Sequence, residues 1–256
     1  TKSESFLYSA QERLARATGP YGQIDFDYDL VGNRILRSLD LNGQVESDTY
    51  SYPVNSNRLQ SVARGGGSRA LGYDDAGNVI SDNLDGSLYA YSYNAANRLS
   101  GFAVAGQPEA EYLYNVLGQQ VIRRLLPEGK TLHVIHDIHG NRLAEYEFDP
   151  VTRNRTLLRE YIWLEGMPVA VVENDQIYFI RTDHIGRPVF ATDNTGTKIW
   201  EASYLPFGGM HVSTGASIDL RFPGQWFQAE NELHQNWMRD YDPTLGRYLQ
   251  ADPMCY

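Results

Sequence analysis

Leu88-Tyr89-Ala90-Tyr91-Ser92-Tyr93 alternates bulky and small positions. In a strand this period puts Tyr89, Tyr91 and Tyr93 on one face and Leu88, Ala90 and Ser92 on the other. The next residues, "NAANRLSGFAV", supply Asx side chains and an Ala-Asn step, then a second alternating run. Asn and Gly tolerate positive φ, and Asx side chains bond their own backbone, so this junction reads as a reversal. The segment therefore predicts a β-hairpin. The same grammar recurs in "YDLVGNRILRSL" from Tyr28, "YPVNSNRLQSV" from Tyr52, "YDDAGNVISDN" from Tyr73, "YNVLGQQVIRR" from Tyr114 and "HDIHGNRLAEY" from His136. With the copy at Tyr93, the starting residues lie 24, 21, 20, 21 and 22 apart. A fixed period of this length is the mark of a repeat architecture. "YSAQERLARAT" from Tyr8 is a weaker copy, and "TDHIGRPVFATD" from Thr182 a later relative.

One hairpin is marginal in water, but adjacent copies bury a shared face. The repeat thus predicts an all-β chain whose hairpins pair into a long, curved antiparallel sheet, with Tyr and Asp-Gly-Asn residues as scaffold. From about residue 156 the spacing loosens, with turns at Glu165-Gly166, Asn174-Asp175, His184-Ile185-Gly186 and Asn194-Thr195-Gly196. "ARGGGSRALG" at 63–72 predicts a long hairpin turn. Near the end, "GQWFQAENELHQNWMRDY" predicts a short irregular or helical segment, with Phe227, Leu233 and Met238 as its apolar side. No linker or low-complexity tract separates these parts. The organisation expected is 1–155 as regular repeats, 156–220 as degenerate repeats and 221–256 as a distinct terminal motif.

Composition agrees with many strands joined by tight turns: 18 Tyr favour pleated surfaces and 23 Gly favour turns. The net charge of −10 argues against nucleic acid or an anionic membrane as a main partner, because both need a basic face. No apolar run approaches the roughly 20 residues of a membrane helix. "TKSESFLYSAQERL" lacks a signal-peptide apolar block. The single Cys255 excludes an internal disulfide framework and a multi-Cys zinc site.

Candidate chemistry is sparse. No Gly-rich phosphate loop or G-x-S-x-G elbow occurs, and no cofactor is expected. His133, His136 and His139 lie on a strand running into a repeat turn, with His136 facing opposite to the other two, and read as structural. Trp163, Trp200, Trp226 and Trp237 read as packing residues. Asp-Pro pairs occur at Asp149-Pro150, Asp242-Pro243 and Asp252-Pro253, where a turn role competes with catalysis. Two carboxylates cleave a peptide when one activates water and the other, protonated, polarises the carbonyl; close like charges separate their pKa values to give such a pair.

The spaced Y-D-x-x-G-N-R units resemble the YD repeats of the RHS proteins of bacteria and of the related C components of ABC-type toxin complexes. "RFPGQWFQAENELHQNWMRDYDPTLGRYLQADP", from Arg221 to Pro253, resembles the RHS-associated core motif. The matching positions include the Arg-Phe-Pro-Gly-Gln opening, Leu233-His234, Asn236, Arg239, Tyr241-Asp242-Pro243, Gly246-Arg247-Tyr248 and Asp252-Pro253. Gln235 and Asp240 depart from it, standing where relatives often carry aromatics. After Pro253 the family usually continues; "MCY" follows here, so a fragment or truncated product is expected. The resemblance implies a β-sheet shell that encloses and delivers a toxic C-terminal domain, closed by a core that cuts the chain in aspartyl-protease fashion. It makes Asp252 the catalytic candidate, with Asp240 as a partner carboxylate and Arg239 as a supporting cation. It implies as partners the chain's own toxin domain and secretion or toxin-complex components, and a secreted or cell-surface location in bacteria. A carbohydrate surface built on exposed tyrosines such as Tyr89 and Tyr91 is the competing reading. A partial sheet also leaves open strand edges, which favour association.

Overall fold

The computed structural model describes residues 3–252. Among them there is no helix; twenty strands, from Ser5–Tyr8 to Met210–Gly215, form one antiparallel sheet, and four more form a second. The chain divides into two compact units, 1–90 and 91–256. Among the described residues no helix is long and apolar enough to cross a membrane.

In the 1–90 unit, the repeat is built around one carboxylate. Asp29 Oδ1 accepts the backbone N–H groups of Val31, Gly32 and Asn33, and Asn33 Nδ2 donates to Asp29 Oδ2 at 2.9 Å. Asp74 and Asn78 repeat the arrangement. The Asx side chain satisfies the donors that a reversal strips from the ladder. Successive hairpins are then stitched together. The Tyr28 hydroxyl donates to Leu14 O at 2.9 Å, and Tyr73 to Leu59 O at 2.8 Å. Arg13 donates to Asp29 O while its guanidinium lies 6.0 Å from the Tyr28 ring centre; Arg58 does the same with Asp74 and Tyr73. The Tyr-Asp pair of one repeat therefore binds the Arg-Leu pair of the one before. One face buries Ala17, Tyr21, Ile24, Phe26, Tyr50, Leu59 and Val62, together with the ion pair Arg69–Asp82. The three glycines at 65–67 do not make a long turn. Gly65 and Gly66 alone connect the strands Ser61–Arg64 and Gly67–Tyr73, because Gly66, at φ 95°, permits a two-residue hairpin.

In the 91–256 unit the same stitches recur. Tyr114 donates to Leu99 O, Tyr204 to Pro188 O, and Trp163 Nε1 takes the tyrosine's place, donating to Arg142 O at 2.8 Å. Gly118 is favoured by its φ of +78°, and a Cβ there would also displace the Arg98 guanidinium that lies over it. Each such turn is followed by a one-residue bulge, as where Leu113 faces Ile122 but Tyr114 faces Gln120. Tyr91 is buried against Phe102, with ring centres 5.6 Å apart, so it offers no exposed platform for carbohydrate. His133 packs on the Phe148 ring.

The stretch expected to be irregular or helical is a four-stranded antiparallel meander: Trp226–Gln228, Leu233–Asn236, Arg239–Asp242 and Arg247–Tyr248. Positive φ at Glu232 and Trp237 turns the chain where a helix would have to continue. Its Trp226 joins Tyr161, Val171, Ile180, Trp200 and Tyr204 of the large sheet in one core, edge-on to Tyr161 at 4.8 Å.

The turns are titratable. Burial pushes the Asp137 carboxyl up, but hydrogen bonds from Asn141 and His139 outweigh it and hold the group below its ordinary range. A depressed carboxylate contributes stability above its unfolded pKa of about 4 and loses it as pH falls through the folded value. Asp137→Ala is expected to cost about 1–3 kcal/mol at pH 7 in chemical denaturation. The gap to the unsubstituted protein should close as the pH is lowered below about 4.

Candidate functional site

The C-terminal meander is held to the large sheet by a seam of buried polar groups rather than by apolar contact alone. Arg142 begins the strand Arg142–Phe148 and is 0% exposed. It donates to Glu145 Oε1 at 2.9 Å and stacks 4.4 Å from the Trp226 ring centre. Glu145 in turn accepts from the Tyr161 hydroxyl at 3.2 Å. Burial pulls the Arg142 pKa down, with the Glu145 charge opposing it. A second cluster joins Arg123 to Glu230 at 2.7 Å, and Glu230 also accepts from Tyr112. Asn231 donates to the Tyr112 oxygen, and Gln228 to Gln120. Burial and the Glu230 charge raise the Tyr112 pKa well above its ordinary value. A third contact is Arg159 to Asp219 at 2.9 Å. Glu230 and Asp219 thus bring carboxylates from the C-terminal segment to cations of the sheet.

The three residues singled out from sequence fall into two places. Asp240, 2% exposed, points inward: its N–H donates to Gln250 Oε1, and Gln250 Nε2 donates to its Oδ2 at 2.7 Å. Arg239 precedes it in the same strand and faces the other way. Its guanidinium lies 3.8 Å from the Tyr248 ring centre and reaches Asp252 Oδ2 at 3.5 Å, where the Asp252 side chain is 48% exposed. The structure thus joins Arg239 to Asp252 and Asp240 to Gln250. Asp242 caps the following turn, accepting from Thr244 and Leu245. His234 is buried with Nδ1 2.9 Å from Gln225 Oε1; burial and the Arg221 charge push it down to about 3, so it is a neutral structural histidine.

Burial pushes the Asp240 carboxyl up to about 7; the Gln250 hydrogen bond opposes this and the Glu230 charge adds to it. The group therefore holds a proton at pH values where an exposed aspartate has lost it, and can act as an acid near neutrality. The sign for stability follows. A carboxyl raised in the folded state favours folding fully below its unfolded pKa and loses that contribution as pH rises through about 7. The melting temperature is expected to fall between pH 5 and pH 8, and Asp240→Asn should flatten that slope. A profile unchanged by Asp240→Asn would remove Asp240 as the titrating group.

Sequence reading missed Arg142, Glu145, Arg123 and Glu230. The available signal was phase, and only at Arg142: it lies two residues from the buried Ala144 on one strand face, where a solvated charge does not belong, whereas Glu145 has the opposite phase. The bulge after each turn shifts that phase and hides it.

A protein-family model described as Teneurin YD-shell matches residues 152–256. The double-stranded DNA deaminase toxin A of Burkholderia cenocepacia is 24% identical over 275 residues, covering 91% of this chain and 19% of its own length. Toxin protein Tse5 of Pseudomonas aeruginosa is 24% identical over 297 residues, covering 98% of this chain and 22% of its own length. The chain thus spans about a fifth of these relatives. The structure of the Photorhabdus luminescens Tc holotoxin pore aligns with 98% of this chain and 17% of its own, at 16% identity and a TM-score of 0.53, a likeness of fold.

Proposed function

We propose that this chain, similar over residues 152–256 to the Teneurin YD-shell family model, forms part of a YD-repeat wall that encloses and delivers a toxic C-terminal domain. The observation that carries this reading is the unbroken ladder of stitched hairpins with a separate meander pinned to it by the Arg123–Glu230 ion pair. Such a ladder offers an extended surface, which suits containment. The toxin-bearing relatives support the cargo assignment. The partners proposed are the chain's own toxin domain and components of a secretion or toxin complex. The setting is outside the producing cell, in contests between bacteria or against a host.

The test is protease protection. The protein is produced with its natural flanking coding sequence, and the C-terminal domain is followed under limited proteolysis. Enclosure predicts that the domain survives until the shell is denatured. Digestion at the rate of the free domain would defeat the proposal.

Asp240 supports a second reading, in which the core motif also cuts the chain. A buried carboxyl that keeps its proton near neutrality is one of the two groups acid-catalysed peptide cleavage needs. Asp252, held by the Arg239 cation on the other face of the Asp240 strand, is the partner proposed for activating water, so this reading requires the two carboxyls to be brought together for cleavage. Intact-mass measurement of the chain extended past residue 256 should show one discrete cut, and Asp252→Asn should abolish it. An uncut chain would leave the core as a structural plug.

A further inference from the structure

Asn42 and Gly43 alone connect the strands Arg34–Leu41 and Gln44–Ser51. Their φ values, 54° and 83°, are the positive pair that a two-residue type I′ hairpin turn requires. This is the only Asn-Gly step in the chain, and both residues are exposed. A Cβ added at Gly43 would meet nothing within 4 Å among the described residues. The Gly43 N–H donates to Asp40 Oδ1 at 2.8 Å. The repeat turns reverse the order, as in Gly32-Asn33, Gly77-Asn78 and Gly140-Asn141. There each asparagine amide donates to the turn carboxylate, and Arg34, Val79 or Arg142 follows it.

An asparagine side-chain carbonyl stands one ring closure from the next backbone nitrogen. Closure needs that nitrogen to lose its proton, and it needs a next residue that does not crowd the ring. Glycine meets the second need. A carboxylate already accepting the proton meets the first, as a general base within hydrogen-bond reach. We propose that Asn42-Gly43 is a self-modification site, where Asn42 deamidates with Asp40 as the base. The Gly43 nitrogen gives its proton to Asp40 and bonds to Asn42 Cγ. The Cγ–Nδ2 bond breaks, and Nδ2 leaves as ammonia with the proton that Asp40 returns. Water then opens the cyclic imide. Attack at Cγ gives an aspartyl residue; attack at the main-chain carbonyl carbon gives an isoaspartyl link through Cγ. Water is consumed, ammonia is released and nothing is oxidised. Either product places a new negative charge beside Asp40. The isoaspartyl form also adds a carbon to the main chain, which breaks the fit of the turn to the pairing Leu41↔Gln44. The inference is independent of the enclosure reading, since it rests on this turn alone.

The test incubates the intact chain at neutral pH in ¹⁸O-labelled water, then follows its proteolytic peptides by mass spectrometry. The peptide holding Asn42 should convert to an aspartate and isoaspartate pair carrying the label. The peptides holding Asn33, Asn78 and Asn141 should stay unchanged over the same time. Asp40→Asn should slow the conversion by about tenfold or more, as loss of a general base does, and Asp40→Glu should restore part of the rate. If these variants fail to fold, the comparison of Asn42 with the three repeat asparagines still decides. No conversion at Asn42, equal conversion at the repeat asparagines, or an Asp40→Asn variant that converts as fast as the unsubstituted chain would overturn the proposal.

Discussion

Arg142→Ala is expected to lower the stability of the 91–256 unit by about 3–5 kcal/mol, the range for stranding one member of a buried ion pair. Arg142 is fully buried, and Glu145 would be left with the Tyr161 hydroxyl as its polar partner in the seam. The guanidinium also covers the Trp226 ring, so the truncation opens space above the indole. Urea denaturation followed by tryptophan fluorescence measures the loss. The paired change Arg142→Met with Glu145→Gln removes both charges and should recover much of it, because buried ion pairs add little over a well-packed apolar pair. A loss below about 1 kcal/mol for Arg142→Ala, comparable to an ordinary hydrogen bond, would show that Glu145 is solvated and that the seam is not a lock.

Trp226→Ala should cost a similar amount, about 3–5 kcal/mol, through transfer and cavity terms together. Trp226 sits edge-on to Tyr161 at 4.8 Å and to Trp163 at 6.3 Å, and it lies in the core shared by the meander and the large sheet. Its removal should also erase near-ultraviolet dichroism from this aromatic group. Since Arg142 and Trp226 touch, the double variant should lose less than the sum of the single ones. Strict additivity would mean that the cation and the indole act independently.

The hairpins were legible because each repeat carries its own turn chemistry: Asp29 with Gly32 and Asn33, or Asp74 with Asn78, announces a reversal from five residues. Tyr89, Tyr91 and Tyr93 announced a shared strand face, of which Tyr91 is buried and the other two are partly buried. What lay beyond reach was non-local. Trp163 does a tyrosine's work through its indole N–H, which no spacing of tyrosines reveals. The C-terminal meander looked irregular because its strands have only two to four residues, too short for a period to declare itself. Glu230 and Arg123 lie 107 positions apart, so their pairing depends on how the segment docks. Asp240 was singled out from motif position, yet its proton affinity comes from burial and Glu230, which sequence does not display.

The tyrosine stitches span only 14 to 21 residues, as from Tyr28 to Leu14 and from Trp163 to Arg142. Contacts between the meander and the sheet reach much further, 65 residues from Tyr161 to Trp226 and up to 107 and 120 from Arg123 to Glu230 and from Leu117 to Trp237. Loops of such different length close in order, the near ones first. A nascent chain can therefore lay down its sheet rung by rung while still leaving the ribosome, each rung needing only its predecessor. The meander seats last, on a surface already made.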